Sequence, residues 1–403
     1  MIELKGKYNE CKIFTDEIDN ATRGQITALL DQESMKNTKI RIMPDCHAGA
    51  GCVIGTTMAI KDKLIPNLVG VDIGCGMYAI KLKEKRIDLP KLDSTIRKYI
   101  PFGFNIITKA QYFNIYITKA QYFDIYNIKA PINIDNALRS IGTLGGGNHF
   151  IEIDIDSDNY LWLVIHTGSR HTGLEVCNYY QNLAYENLKD NKDLRNQLIE
   201  KLKSEGREKE ISSALKEFSK ENSTHIPKML AYCEGNLFND YIHDMRIMQD
   251  YADTNRRTIA KIIMKRMKLH PIHEIMTRHN YIDIDNMILR KGSISAQKDE
   301  EVIIPMNMRD GSLICKGKGN PDWNYSAPHG AGRLMSRTEA KESISMNDYK
   351  KSMNGIYSSC ISKETIDESA FAYKPMQSII DNIKDTVEII DIIKPIYNFK
   401  AEE

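Results

Sequence analysis

The sequence predicts a mixed fold of strands and helices, in which a helical section is inserted into one continuous strand-rich domain. Three observations lead to this prediction. Short apolar runs bounded by Gly, Pro and Asp dominate the first part of the 403-residue chain. Apolar residues at helical spacing and alternating charges follow them. The strand-like pattern then returns after residue 280, together with further motif residues.

The predicted strands are short runs that alternate with turn residues. In the first part they are KIRIMP, VIGTTMAI, LVGV and YAIKL, at residues 39–44, 53–60, 68–71 and 78–82. The others are FIEIDI, YLWLVIH, EVIIPMNM and SLICKG, at residues 150–155, 160–166, 301–308 and 312–317. Their lengths suit buried or half-buried strands, and the candidate functional residues fall at their ends.

A helical section at about residues 174–270 separates the two groups of strands. Its first helix is predicted from apolar residues at helical spacing, namely Leu174, Cys177, Tyr180, Ala184 and Leu188. The alternating charges of residues 190–222 predict a solvated helical face. A methionine stripe at residues 245, 248, 264 and 267 predicts core packing and not a cofactor site. We therefore expect one domain over residues 1–403, with this section inserted.

Residues 107–126 contain a tandem decapeptide, in which ITKAQYFNIY is followed by ITKAQYFDIY. Two copies are too few for a solenoid, which needs about three repeats to bury a core. The repeat is therefore interpreted as a local expansion of a surface element, without a functional role.

The composition of the chain argues against a membrane protein and against an exported protein. The 42% hydrophobic content is enough for a substantial core, whereas no apolar run approaches the length of a membrane span. The N-terminal MIELKGKYNE lacks the order of a signal peptide, so neither export nor membrane insertion is predicted. Eight cysteines without paired spacing favour free thiols in the cytoplasm. Because the net charge is only +1, any RNA contact must come from local Lys and Arg clusters.

Five residues are candidate metal ligands. Asp72 and Cys75 lie three apart in a glycine-rich loop, and a carboxylate beside a thiolate suits manganese, iron, cobalt or zinc better than magnesium or calcium. His149, His166 and His279 stand in Gly or Asn contexts at strand ends. Any one of them alone would more often be structural. Together they exceed one tetrahedral shell, and a thiolate can bridge two ions, so we predict a binuclear centre suited to phosphoryl chemistry.

His329 is the candidate nucleophile. It lies in NYSAPHGAGRLMSR, residues 324–337, where small residues leave the imidazole uncrowded just before an Arg-containing, helix-like segment. GGGN, GSR and HGAGR, at residues 145–148, 168–170 and 329–333, could surround an anion with backbone N–H groups and a guanidinium. Glycine-rich turns are common, but several in one chain favour a combined metal and nucleotide site.

Taken together, these motifs resemble the signature blocks of the RtcB family of RNA-splicing ligases. The blocks are MPDCHAGAGCVIG, VGVDIGCGM, TLGGGNHFIEI, HTGSR, RHN and SAPHGAGRLMSR, in unchanged order within a stretch from about residue 40 to Lys400. The resemblance implies an α+β fold, with a single large domain of mixed sheets around a central metal and nucleotide cleft and a helical insertion.

The resemblance also implies a reaction. In that family a histidine of HGAGR takes GMP from GTP as a phosphoramidate, which implies this role for His329. The GMP passes to an RNA 3′-phosphate, after any 2′,3′-cyclic phosphate has been opened. An RNA 5′-hydroxyl end then displaces GMP and seals the strand, in RNA repair or tRNA splicing. Two manganese ions organise these steps. The need for an accessory activator protein is left open.

Site residues follow from the resemblance by motif position. The implied manganese ligands are Asp72, Cys75, His149, His166 and His279, with Cys75 bridging, the same set that residue chemistry indicates. Arg170 and Arg333 are expected to contact RNA or nucleotide phosphate. The expected guanylate contacts are Asn148, His149, Phe150, Ile151, Glu152, Asn280, Pro305, Met306, Asn307, Met308, Ser312, Gly330, Ala331, Gly332 and Lys400.

Alternative hypotheses remain at this point. A metal-dependent RNA-end phosphoesterase would keep the metal ligands but would not need His329 or Lys400. An enzyme that guanylylates 3′ ends without efficient sealing is also compatible, because PMNMRDGS at residues 305–312 is bulkier than the family's usual small-residue segment. A non-catalytic RNA-binding protein predicts a basic surface and lost ligands, which the sequence does not have.

Overall fold

The computed structural model describes residues 1–108, 124–189, 192–215 and 226–401, with side chains omitted at 192–196. Most of the tandem decapeptide and parts of the charge-rich stretch 190–222 lie outside the described residues. The strands are β1 (Ile2–Lys5), β2 (Glu10–Ile13), β3 (Ile40–His47), β4 (Ile54–Ala59), β5 (Lys63–Leu64), β6 (Gly76–Leu82), β7 (Phe150–Ile155), β8 (Leu161–Thr167), β9 (Cys233–Glu234), β10 (Pro271–Arg278), β11 (Asn280–Asp283), β12 (Ile288–Lys291), β13 (Ser293–Ser295), β14 (Glu301–Asn307), β15 (Gly311–Gly317), β16 (Ser326–Pro328) and β17 (Val387–Lys400). The α-helices are α1 (Asn20–Leu30), α2 (Pro66–Val69), α3 (Leu89–Tyr99), α4 (Ile134–Ser140), α5 (Arg170–Lys189), α6 (Lys192–Ser204), α7 (Gly235–Met267), α8 (Arg337–Ser343), α9 (Met346–Ser352) and α10 (Met376–Asn382).

Two sheets carry most of the strands. The larger sheet has the order β10-β6-β8-β7-β17-β15-β14, and all of its pairs are antiparallel. The other sheet has the order β1-β2-β3-β4-β12-β11, and only β2 and β3 run parallel. The pairs β5–β9 and β13–β16 are separate two-stranded sheets. This arrangement confirms the α+β fold, in which the six-stranded sheet is mixed and the larger sheet is antiparallel.

The larger sheet curls until its two edge strands meet. His273 on β10 and Glu301 on β14 form an ion pair, with 2.9 Å between Nε2 and Oε2. Alternate residues of the strands point to the enclosed side, as the two-residue period of a strand requires. They form one buried cluster of Met77, Ala79, Phe150, Trp162, Val164, Ile275, Ile303, Ile314 and Ile393.

Helices cover the outer side of this sheet. They lie between it and the core beneath the six-stranded sheet. Helix α3 contributes Leu92 and Ile96, and α7 contributes Ile259 and Ile263, to a cluster that includes Ile151 of β7. The methionine stripe of α7 confirms the predicted core packing. Met245 and Met248 are buried in the core beneath the six-stranded sheet, and Met264 and Met267 pack against the α3 cluster.

Most of the predicted strands are confirmed. The prediction for 150–155 coincides with β7, and β3, β4, β6, β8, β14 and β15 overlap their predicted ranges. Helices α5, α6 and α7 occupy the section that was expected to be helical. The strand predicted at 68–71 is wrong, because residues Pro66–Val69 form α2. Proline at the first helical position favours that turn, and Gly70, with φ 103°, ends it.

All eight cysteines are buried and unpaired. Burial raises the pKa of Cys11, Cys46 and Cys177 to about 12, so these thiols are inert core residues. Among the residues that the structure describes, no helix combines the length and apolarity required to cross a bilayer.

Candidate metal and nucleotide site

The candidate metal ligands meet at one edge of the larger sheet. His149 directly precedes β7, His166 lies near the end of β8, and His279 follows β10. Asp72 and Cys75 lie in the loop that leads from α2 into β6. Because neighbouring strands are antiparallel, the start of β6 and β7 and the end of β8 and β10 fall at the same edge. We call it the site edge.

The ligand atoms form a continuous row. Asp72 Oδ2 lies 3.0 Å from His149 Nε2, and the Cys75 sulfur lies 3.5 Å from the same nitrogen. The sulfur also lies 3.4 Å from His166 Nε2, which in turn is 3.4 Å from His279 Nε2. Cys75, His149 and His166 offer three ligand atoms within 4.8 Å of one another. All five expected ligands are thus brought together, with Cys75 between the two halves of the row.

The hydrogen bonds behind this row leave imidazole nitrogens available for a cation. His149 Nδ1 lies 3.0 Å from the Leu144 carbonyl, and His166 Nδ1 lies 3.1 Å from the Asn148 carbonyl. A carbonyl oxygen only accepts, so in the neutral rings both Nε2 atoms carry a lone pair. Ligands about 2.0–2.3 Å from one tetrahedral ion lie roughly 3.3–3.7 Å apart. The donor set and its spacing therefore fit a divalent cation.

Protonation along the row follows from burial and neighbouring charge. Burial, together with His149, holds the pKa of His166 well below its ordinary value, and burial with His329 does the same for His279. Burial opposes ionisation of Asp72, but the hydrogen bond with His149 and its charge outweigh burial and lower the pKa. Burial and Asp72 raise the pKa of Cys75 well above its ordinary value. A bound cation would have to displace the thiol proton.

A cavity of about 810 Å³ adjoins the row of ligands, and both His166 and His329 line it. Most of the expected guanylate contacts line it as well. They are Asn148, Phe150, Glu152, Pro305, Met306, Asn307, Met308, Gly330, Ala331, Gly332 and Lys400. The nucleotide residues expected from four separate segments of the chain therefore share one cavity.

Four expected guanylate contacts do not line the cavity. His149 lies in the row of candidate ligands. Ile151 points to the opposite face of β7, toward α3 and α7, because strand residues alternate between faces. Asn280 donates to the Asp72 carbonyl at 3.2 Å and accepts from the Gly292 N–H at 3.0 Å, so it supports the loop that carries Asp72 and Cys75. Ser312 is fully buried on β15, and its hydroxyl has no hydrogen-bond partner among the described residues.

His329 is held by a residue that the sequence did not single out. Asp45 Oδ2 accepts from His329 Nδ1 at 2.7 Å and from the His329 backbone N–H at 3.2 Å. The carboxylate of Asp45 is fully buried. Because it holds the proton on Nδ1, Nε2 of a neutral His329 carries the lone pair. The ring centres of His329 and His279 are 4.8 Å apart, so the candidate nucleophile lies beside the row of candidate metal ligands.

The two arginines expected at phosphate lie on different sides of the row. Arg333 lines the cavity and donates to the Asp367 carbonyl at 2.7 Å. Arg170 begins α5 with φ 59°, donates to the Gly103 carbonyl at 3.1 Å and lies 3.4 Å from His149 Nδ1. It is not among the residues that line the cavity. A phosphate at Arg170 would therefore approach the row from the side of His149.

Glu368 is a second residue that sequence reasoning missed. Its buried carboxylate accepts from Lys400 Nζ at 2.8 Å, from the Tyr373 hydroxyl at 2.6 Å, and from Arg333 and Arg337 at 3.2 Å each. Burial opposes its ionisation, but the charges of Lys400 and the arginines outweigh burial and lower the pKa of Glu368. The carboxylate thereby fixes three cations around one wall of the cavity.

Two carboxyl groups lie on the enclosed face of β7. Glu152 lines the cavity and accepts a hydrogen bond from Asn398 on β17, and burial raises its pKa to about 7. Asp154, two residues further, is fully buried, and neither of its carboxyl oxygens has a partner among the described residues. Burial and the charge of Glu152 raise the pKa of Asp154 well above its ordinary value. Burial therefore favours the protonated form of Asp154.

Comparison with known proteins matches the family described as tRNA-splicing ligase RtcB, over residues 30–132 and 117–401. The chain is 29% identical to RNA-splicing ligase RtcB of Escherichia coli (strain K12) over 407 residues, covering 90% of each protein. It is 27% identical to tRNA-splicing ligase RtcB of Methanococcus maripaludis, covering 85% of this chain and 84% of that protein. With the Aeropyrum pernix tRNA-splicing ligase RtcB it is 24% identical, covering 84% and 82%.

Proposed function

Because this chain belongs to the RtcB family, we propose that it is an RNA ligase that joins a 3′-phosphate or 2′,3′-cyclic phosphate end to a 5′-hydroxyl end. The reaction uses GTP and passes through GMP bound to a histidine. The observation that carries the proposal is the position of His329. It lines the same cavity as the expected nucleotide contacts and lies beside the row of metal ligands.

In the first step, His329 Nε2 attacks the α-phosphorus of GTP. A nitrogen–phosphorus bond forms, the bond to the bridging oxygen breaks, and pyrophosphate leaves. Asp45 keeps the other ring proton on Nδ1, so the attacking lone pair faces the nucleotide. The buried carboxylate also stabilises the positive charge that develops on the ring.

Two manganese ions are proposed for the row. Asp72, Cys75 and His149 would hold one ion, and Cys75, His166 and His279 would hold the other. Bound there, they would neutralise phosphate oxygens during attack. The Cys75 sulfur is the atom that neighbours both halves, so it is the proposed bridge.

The guanylate is proposed to occupy the 810 Å³ cavity, which is within the usual size range of small-molecule sites. Asn148 and Phe150 would contact it from the site edge, Glu152 and Lys400 would contact the base, and Gly330 to Gly332 would leave room beside His329. Arg333 and Arg170 would contact RNA or nucleotide phosphate. The buried, unpaired cysteines suit a reducing compartment, and we propose the cytoplasm.

A second candidate function is guanylylation of RNA 3′ ends without efficient sealing. The bulky wall formed by Pro305 to Met308 favours it, because Met306 and Met308 occupy cavity surface that a second RNA end could need. A metal-dependent phosphoesterase is less well supported, since that reaction has no use for His329 held by Asp45.

The first test is incubation with α-labelled GTP and manganese. We expect label to stay on the protein in an acid-labile linkage, as a histidine phosphoramidate requires. His329→Ala should abolish labelling while leaving manganese content near wild type. The matched control is His270→Ala, because His270 is exposed and pairs with Glu84 at the opposite end of β10. A His329→Ala protein that still takes up label would overturn the assignment.

The second test is a matched set of RNA pairs that differ only in their end chemistry. With GTP and manganese, 3′-phosphate or cyclic phosphate ends should join 5′-hydroxyl ends. Ends with a 3′-hydroxyl and a 5′-phosphate should not join. Efficient joining of that second pair would contradict the proposal, whereas 3′-end guanylylation without joining would support the second candidate function.

A further inference from the structure

One residue anchors two imidazoles in the same cavity. Asp45 and His47 are two apart on β3, so their side chains lie on one face of the strand, while Cys46 between them packs in the core. The Asp45 carboxylate holds His329 Nδ1 at 2.7 Å, and the Asp45 backbone carbonyl lies 3.0 Å from His47 Nδ1. Both rings are therefore fixed through Nδ1.

The other nitrogen of His47 is available to a ligand. His47 is half-buried and lines the cavity with His329. Among the described residues, the hydrogen bond that holds the ring is the one to the Asp45 carbonyl, and it uses Nδ1 and leaves Nε2 unused. The pairing of His47 with Ile54, which also lines the cavity, fixes the strand at this position. Since the carbonyl takes the Nδ1 proton, Nε2 of a neutral His47 carries a lone pair.

Apart from the opening of a cyclic phosphate, which uses water, the proposed reaction contains one step whose nucleophile must lose a proton. The attack of His329 on GTP uses a lone pair on nitrogen, and the transfer of GMP to a 3′-phosphate uses an oxygen already ionised at neutral pH. Neither nucleophile has a proton to remove. The final attack uses an RNA 5′-hydroxyl, which must lose its proton as the new bond forms.

We propose that His47 is the general base of the sealing step. This inference rests on the proposed function. The 5′-hydroxyl gives its proton to His47 Nε2, its oxygen bonds to the terminal RNA phosphorus, and the bond from that phosphorus to the GMP oxygen breaks. GMP leaves as an anion, and the imidazolium later returns its proton to water.

The surroundings of His47 suit a base. Burial holds the pKa of His47 below its ordinary value, and the charge of His329 lowers it further. The backbone hydrogen bond with Asp45 opposes this shift but does not cancel it. Lys374 donates to the carbonyls of Pro44 at 2.8 Å and Cys46 at 3.2 Å and adds positive charge. Asp19 at the start of α1 also lines the cavity. The ring is therefore neutral at neutral pH and can accept a proton.

The test separates the steps with His47→Gln. Purified RNA that carries GMP in a 3′-terminal diphosphate linkage is mixed with 5′-hydroxyl RNA and manganese, so that only sealing is measured. We expect sealing to fall by about 100-fold, the usual loss for a general base. GMP uptake from labelled GTP should stay close to wild type. His273→Gln, which changes a histidine paired with Glu301 away from the cavity, is the control and should seal normally.

A 5′-thiol RNA distinguishes proton transfer from a structural role. A thiol ionises at a pH of about 8.5, so its thiolate needs no base. His47→Gln should therefore seal 5′-thiol ends nearly as well as wild type does. Normal sealing of 5′-hydroxyl ends, an equal loss for both nucleophiles, or a parallel loss of GMP uptake would each overturn the role of His47. If the wild type neither takes up GMP nor seals, the proposed function itself is wrong and this inference falls with it.

Discussion

Cys75 is the single residue whose replacement should affect the candidate metal site most, because its sulfur contacts both His149 and His166. We expect Cys75→Ser to weaken both proposed manganese sites, since a hydroxyl is a poor substitute for a thiolate. His279→Gln should weaken only one, because His279 contacts the row only through His166. Titration calorimetry of the two variants measures the difference in stoichiometry. Two ions bound to Cys75→Ser with wild-type affinity would mean that Cys75 is an ordinary buried cysteine.

We expect Asp154 to make the stability of the protein depend on pH. Its pKa is raised in the folded protein and ordinary in the unfolded chain, so the folded state holds a proton that the unfolded state loses. The contribution of Asp154 to the free energy of unfolding is therefore fully present below pH ~4 and is lost as the pH rises. Asp154→Asn should remove this loss. Its free energy of unfolding relative to wild type should increase from pH 5 to pH 8 by about 1 kcal/mol or more.

Urea unfolding at the two pH values measures the effect of Asp154→Asn. The control is Asp158→Asn, which makes the same change at an exposed turn just beyond β7. The two variants should differ mainly in the pH dependence of their stability. A constant difference between Asp154→Asn and wild type at both pH values would show that Asp154 is ionised in the folded protein.

The candidate ligands could be predicted from the sequence, whereas the residues that hold the site in place could not. Asp72, Cys75 and the three histidines carry recognisable ligand chemistry, and the structure brings them into one row. Asp45 was missed because it is 284 positions from His329, and its role depends on their contact. Glu368 was missed for the same reason, since its partners come from three separate segments, which hold Arg333 and Arg337, Tyr373, and Lys400.

At the scale of elements, the tandem decapeptide permits a direct test. The two stretches that match the family overlap at residues 117–132, which include the whole second copy. Deleting residues 117–126 should leave the melting temperature and GMP uptake nearly unchanged, because the remaining copy supplies almost the same residues to the flanking chain. The copies differ only at Asn114 and Asp124, so deleting residues 107–116 gives an almost identical protein and is the matched control.

Both deletions should behave alike, and a large loss of labelling in either would give the duplication a role in the site. Residues 109–123 lie outside the described part of the chain, so this prediction depends on the repeat in the sequence. The flanking residues Ile107 and Ile125 are buried in the core beneath the six-stranded sheet. Ile115 of the first copy stands at the position equivalent to Ile125 and can replace it after the second copy is deleted.

Strands were predictable where a short apolar run ends in turn residues, as in β7 and β8. The apolar run at residues 68–71 led to a wrong strand prediction. Pro66 begins a helical turn and Gly70 ends it, so Leu68 and Val69 are helical. The long β17 went unpredicted. Its pairing with β7 shifts register between Pro395 and Tyr397, and a proline inside a run argues against a central strand.

For the whole molecule, metal binding should be linked to stability. An ion that binds only the folded protein adds about 2.7 kcal/mol at 100 times its dissociation constant. We expect manganese to raise the melting temperature of the wild type and to have little effect on Cys75→Ser. The gain should grow with pH, because the raised pKa of Cys75 means that binding releases a proton. Thermal melting with manganese or with a chelator, at pH 6.5 and 8, measures both effects.

A gain that is independent of pH would contradict thiolate ligation, and an equal gain in Cys75→Ser would place the binding elsewhere. Calcium serves as the control ion, because it prefers oxygen ligands and more of them than this row offers.

The central position of β17 has a consequence for how the protein is made. Translation delivers β6, β7, β8, β10, β14 and β15 before β17, yet β17 is the strand that lies between β7 and β15. A nascent chain that ends before residue 387 therefore holds two half-sheets with open edges, the kind of surface that chaperones protect. Lys400 is among the last cavity residues to leave the ribosome. The newborn protein should thus be unable to bind the proposed nucleotide until its synthesis has passed that point.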